Sequence, residues 1–131
     1  MGLLNNIFGN KNSNDKKVET DLPWVNLDSL SQLDEIESKS ANRVQVIFKH
    51  STTCGISRMV MNMFKNSYNY PEDQIDLYYL DLLANREVSN GVAEKFQVMH
   101  QSPQLLVIKN GTVVAHDSHG AINEISLEKY L

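Results

Sequence analysis

Val44-Gln45-Val46-Ile47-Phe48-Lys49-His50-Ser51-Thr52-Thr53-Cys54-Gly55-Ile56-Ser57-Arg58 is the stretch on which the fold turns. Residues 44–49 are rich in β-branched and aromatic side chains and alternate little, the pattern of a strand buried on both faces. Residues 50–55 are small and polar and read as a turn. Beyond them Ile56, Val60, Met63 and Phe64 recur at helical spacing, which predicts a helix with one apolar face. The chain's single cysteine therefore stands where a buried strand ends and a helix begins. The first N–H groups of a helix lack acceptors and the local dipole is positive, so a thiolate is favoured there. Lys49 and His50, just upstream, are expected to add positive charge. Ser57, three residues after Cys54, is expected to face the sulfur with its hydroxyl, and Thr53 to offer a second donor.

The flanking sequence extends this unit in both directions. Residues 24–27 form a short extended piece. Asp28 or Ser29 then caps a helix whose inner face is Leu30, Leu33 and Ile36. Residues 75–82 read as a second strong strand and 85–97 as a helix with Val88, Val92 and Phe96 inside. Residues 105–108 and 112–115 flank Lys109-Asn110-Gly111, where Asn-Gly signals a hairpin. Residues 122–131 are expected to close the chain as a short helix with Ile122, Ile125 and Leu127 apolar. The order is β-α-β-α-β-α-β-β-α. Strand–helix–strand units need parallel crossovers, and the terminal hairpin must be antiparallel. An α/β fold follows: a mixed central sheet with helices on both faces, in the thioredoxin-like layout.

The 131 residues suit one domain, with 22–131 expected to fold and 1–21 to be a mobile, polar N-terminal tail. Leu3, Leu4, Ile7 and Phe8 leave room for a short membrane or partner contact, but the segment lacks the basic leader and long apolar run of a signal peptide. Gly2 follows Met1, yet Asn6 stands where a myristoylation signal wants Ser or Thr. A net charge of −4 with no basic run argues against nucleic acid as a partner. No apolar run approaches the roughly 20 residues of a transmembrane segment. One cysteine and no export signal point to a reducing, cytoplasmic setting.

Ser102-Pro103-Gln104 precedes the apolar run at 105–108. A proline belongs at the first residue of a strand, and an X–Pro bond can be cis or trans there. Phe48-Lys49-His50-Ser51-Thr52-Thr53-Cys54-Gly55-Ile56-Ser57 resembles the active-site stretch of the YtxJ family, the monothiol bacilliredoxins linked to bacillithiol. Tyr78-Tyr79-Leu80, His100-Gln101-Ser102-Pro103-Gln104 and Ser118-His119-Gly120-Ala121-Ile122 resemble it too, from about Trp24 to the C-terminus. The resemblance implies a thioredoxin fold, Cys54 as the attacking thiol and Pro103 as a cis proline. It also implies thiol–disulfide exchange that removes bacillithiol from protein mixed disulfides, with bacillithiol as co-substrate and no tightly bound cofactor.

One departure stands out: Gly55 occupies a position where family members commonly carry proline. Cys54-Gly55-Ile56-Ser57 then resembles the Cys-Gly-Phe-Ser motif of monothiol glutaredoxins, which hold an iron–sulfur cluster between subunits. The Gly-Gly-Cys-Asp-type segment of those proteins is not found after Val114, so a cluster- or thiol-binding module is the alternative reading. A redox sensor without turnover is a third. Ser118, His119 and Gly120, with Ser102 and Pro103, are the expected small-thiol subsite, a carboxylate docking at the start of the last helix. His116 and His119 lack the further ligands a zinc site needs, so no metal is expected. Met59, Met61 and Met63 read as core filler and helix surface.

Overall fold

The computed structural model describes residues 22–131, so the tail expected over 1–21, with its Leu3, Leu4, Ile7 and Phe8, lies outside the described residues. The elements are β1 (Trp24–Asn26), α1 (Ser31–Lys39), β2 (Val44–His50), α2 (Gly55–Ser67), β3 (Ile75–Asp81), α3 (Arg86–Phe96), β4 (Gln104–Lys109) and β5 (Thr112–Ser118). Two 3-10 segments follow, His119–Glu124 and Leu127–Tyr130. The five strands form one sheet in the order β1-β3-β2-β4-β5. β3 pairs in parallel with β1 and β2, while β4 runs antiparallel to β2 and β5 to β4. The mixed sheet is as expected, and the hairpin turn places Asn110 and Gly111 both at positive φ, the demand that selects Asn-Gly.

β2 lies at the centre and is buried along its whole length. Successive side chains of a strand point to opposite faces, so β2 serves two cores. Ile47 packs with Leu33 and Ile36 of α1 and Val88, Val92 and Phe96 of α3. Val44, Val46 and Phe48 pack with Val60, Met61 and Phe64 of α2 and with Ile122 and Leu127. Helices cover both faces. None among the described residues is long and apolar enough to cross a membrane.

Four local expectations are corrected. The closing helix over 122–131 is replaced by two 3-10 segments. Ile122 and Leu127 are five positions apart and both enter the α2-side core, which Ile125 and Ser126 allow by being extended between them. The cap of α1 is neither the Asp28 nor the Ser29 side chain. Instead Gln32 reaches back: its Oε1 accepts from the Asp28 and Ser29 N–H groups at 2.8 and 3.0 Å, and its Nε2 donates to the Asn26 carbonyl at 2.8 Å. Leu30, at the cap position, is 44% exposed rather than on the inner face. In α2 the buried positions are Ser57, Val60, Met61 and Phe64, while Ile56 and Met63 are exposed. The spacing i, i+3, i+4, i+7 still holds, but a serine takes the first inward place, for a reason that lies in the site itself.

Candidate active site around Cys54

Cys54 is the N-cap residue of α2, with extended φ −101° and ψ 123°, and is half-buried. An N-cap side chain projects toward the N–H groups of the second and third helical residues, here Ile56 and Ser57. The Cys54 N–H donates to the Ser51 carbonyl at 3.2 Å and its own carbonyl accepts from Arg58 N–H at 3.0 Å, so the turn is closed on both sides. Among the described residues its Sγ makes no hydrogen bond.

Ser57 therefore does not act as expected. Its hydroxyl is fully buried, 2.8 Å from His50 Nδ1, and accepts from the Ser51 N–H at 3.1 Å. It ties the first turn of α2 to the end of β2, under the turn that carries the sulfur. The inward serine of α2 is explained: His50 and the Ser51 N–H would otherwise be buried polar groups without a partner. Burial pushes the His50 ring below its ordinary value, with Arg58 and Lys65 adding to that and Asp81 opposing it. Thr53 is exposed, with its hydroxyl 3.4 Å from that of Ser51. It is not bonded to the sulfur.

Lys49 is likewise corrected. It follows the parity of Ile47, so it enters the α1/α3 side of the sheet, opposite to Ser57. There it is wholly buried, its Nζ 3.3 Å from the Ser89 carbonyl and 3.2 Å from His100 Nδ1. Burial lowers its pKa to about 8. His100 Nδ1 is also 3.4 Å from the Ser89 hydroxyl, and burial followed by the Lys49 and Arg86 charges lowers the ring's pKa. The ammonium is thus spent on holding the loop before Pro103. Gln104, also buried, holds the same loop: its Nε2 donates to the Met99 carbonyl at 2.9 Å and its Oε1 accepts from Gln101 N–H at 3.4 Å.

The Ser102–Pro103 bond is cis. Pro103 is buried and Ser102 half-buried. The Pro103 carbonyl accepts from the His119 N–H at 3.1 Å, which brings the 118–120 segment against the proline loop. His119 sits at positive φ and is exposed, as is Gly120. The His119 N–H, expected to face a carboxylate, is committed to Pro103, and the helix meant to supply the dipole is a six-residue 3-10 segment. Ser118 N–H is held by its neighbour Asp117 at 3.0 Å. Gly55 is the first helical residue, with no atom within 4 Å of where a Cβ would stand. Ile56 is 55% exposed beside the cysteine. Among the described residues no three His, Cys, Asp or Glu are grouped to hold a metal ion.

Residues 25–127 match the family model described as monothiol bacilliredoxin BrxC. A solved structure of a provisionally assigned oxidoreductase with a thioredoxin fold is 34% identical, at a TM-score of 0.68 over 81% of this chain and 91% of that one. The thioredoxin of Malassezia sympodialis is 19% identical at TM-score 0.61, covering 80% of this chain and 84% of its own. That of Trypanosoma brucei brucei is 17% identical at 0.60, covering 76% and 81%. These last two carry the fold alone.

Proposed function

Because the chain belongs to the monothiol bacilliredoxin family, we propose that it removes bacillithiol from protein mixed disulfides through Cys54. One observation carries the reading: the chain's single cysteine is half-exposed at the N-cap of α2, and the buried residue three positions on is Ser57 rather than a second thiol. A thiol redox protein so built cannot close an internal disulfide. Its exchange has to be completed by an external thiol.

The Cys54 thiolate attacks the bacillithiol sulfur of a protein–S–S–bacillithiol disulfide. The old S–S bond breaks, the protein sulfur leaves as thiolate and takes a proton from water, and Cys54 is left joined to bacillithiol. A second bacillithiol thiolate attacks that bond and releases Cys54 thiolate with oxidised bacillithiol. Cys54 carries out both displacements from the start of α2, where the first helical N–H groups have no helical acceptor. His50 and Ser57 position that turn, and Lys49, His100 and Gln104 position the proline loop. Ser102 supports the docking of an extended substrate, since among the described residues its N–H and carbonyl have no backbone partner. Bacillithiol is a co-substrate, no tightly bound cofactor is required, and the setting is a reducing cytoplasm under oxidative stress.

The test is release of free thiol from a bacillithiolated reporter protein. Wild type should outpace Cys54→Ser by at least about a hundredfold, since the chain holds no other thiol to make the displacement. A glutathionylated reporter run in parallel assigns the small thiol. Equal release by wild type and Cys54→Ser would end the proposal.

A further inference from the structure

Beside the Cys54 turn, on the α2 side of the sheet, a groove of about 560 Å³ opens between β1, β3 and α2. That is the size of a small-molecule site, which typically falls between about 300 and 1,000 Å³. Trp24 and Tyr79 supply an aromatic wall, His50 lines it from β2, and Arg58, Asn62 and Lys65 line it from α2. Trp24 stacks obliquely on Phe64 and edge-on to Tyr79, at 6.0 and 5.9 Å between ring centres, so the wall is backed by the core.

Arg58 joins this groove to the reacting sulfur. It lies one helical turn beyond Cys54, its N–H on the Cys54 carbonyl, and its Nη1 donates to the Thr52 carbonyl at 3.3 Å. The guanidinium is exposed, and among the described residues no carboxylate lies within ion-pair distance of it. Arg58 and Lys65 both lower the pKa of the buried His50 ring, and Asp81 opposes them. The Arg58 guanidinium and an imidazole facing an aromatic wall suit a ligand with a carbon skeleton and an anionic end. A guanidinium takes a carboxylate by two parallel hydrogen bonds.

We propose that this groove is the subsite for the carboxylate-bearing part of the low-molecular-weight thiol, with Arg58 as its anchor and Trp24 and Tyr79 against its skeleton. The inference rests on Cys54 as the exchanging thiol and moves the anion site from the 118–120 segment to the opposite flank of the cysteine. Arg58 is then a specificity residue: it selects which small thiol is delivered to the sulfur.

The test compares Cys54 with two small aromatic disulfides by stopped flow at neutral pH: dianionic 5,5′-dithiobis(2-nitrobenzoate) and neutral 2,2′-dithiodipyridine. Arg58→Ala should slow the anionic reagent by about fivefold or more, the usual worth of a charge-assisted contact, and leave the neutral one within about twofold. Lys39→Ala removes the same charge from the far end of α1 and should leave the ratio of the two rates unchanged. An equal loss with both reagents, an equal loss in Lys39→Ala, or no loss at all overturns the subsite while leaving the exchange reading standing. A wild-type Cys54 inert to both reagents overturns the exchange reading, and the subsite with it.

Discussion

Lys49 and His50 are neighbours in β2, yet they serve opposite faces of the sheet and opposite halves of the site. On the α2 side, His50, Ser57 and the Ser51 N–H make a small buried lock that fixes the turn carrying the thiol. On the α1/α3 side, Lys49, the Ser89 carbonyl and His100 make a second that fixes the loop before Pro103. The first is built from neutral groups that satisfy one another. The second buries an ammonium with, among the described residues, no carboxylate paired to it, and the lysine's lowered pKa registers the cost. A site of two loops is thus held by one strand, through one lock that is indifferent to alkali and one that is not.

Breaking the neutral lock should have the larger effect. Ser57→Ala leaves His50 Nδ1 and the Ser51 N–H without their partner in a dry interior, at a cost of roughly 1–3 kcal/mol. Urea unfolding at neutral pH measures it. Cys54 labelling should slow as well, because the turn holding the sulfur loosens. A loss of stability with no change in labelling would show that the lock supports the fold but not the thiol.

The charged lock is read through pH. Lys49 titrates near 8 when folded and near 10.5 when unfolded, so between these values the unfolded chain binds more protons. Stability therefore rises with pH across that window and is lost as pH falls through about 8. From pH 7.5 to 9.5 the gain is about 2 kcal/mol, stated as an upper bound from the two pKa values. Unfolding in a Cys54→Ser background keeps the thiol out of the measurement, and Lys49→Met should flatten the slope. Tyr68 and Tyr78, raised to about 12 by burial, reverse the trend only above pH 10, where unfolded tyrosines ionise. The neutral lock has its own window on the acid side. The His50 pKa is lowered, so its contribution is present above about 6.5 and lost as pH falls through the folded value. Ser57→Ala should change that acid limb and leave the alkaline one alone.

The sequence made the frame legible because the frame is written in local patterns. The run from Val44 to Lys49, the Asn110-Gly111 turn and the 85–97 periodicity each follow from nearest-neighbour chemistry, and the strand runs one residue further, to His50. The junction cysteine was legible for the same reason. The partners of the site were not. Lys49 read as a charge near the thiol because sequence distance is short, but the two-residue period of a strand sends it to the other face; counting parity from Ile47 would have placed it. Ser57 reads as a donor to sulfur because the three-residue offset is correct for a helix, yet its partner is His50, at the strand end. His100 and Ser89 meet Lys49 from 51 and 40 positions away, and no local pattern carries that contact. The closing 3-10 segments escaped because the spacing of Ile122 and Leu127 is decided by the core they enter rather than by a repeat.

Gly55→Pro sharpens the comparison with the smallest expected effect. Position 55 is the first of α2, where the backbone N–H has no helical acceptor to lose and an added Cβ meets nothing within 4 Å. The residue before a proline must be extended, and Cys54 at φ −101° and ψ 123° already is. The substitution should stabilise by about 0.4–1 kcal/mol, chiefly by restricting the unfolded chain. An effect that acts on the unfolded state does not depend on the native lock, so the gain should be equal in wild type and in Ser57→Ala. A larger gain in Ser57→Ala would mean that the start of α2 is loose once Ser57 is gone and that proline replaces part of its work. An equal gain would leave the His50–Ser57 pair as a device for aiming the thiol rather than for starting the helix.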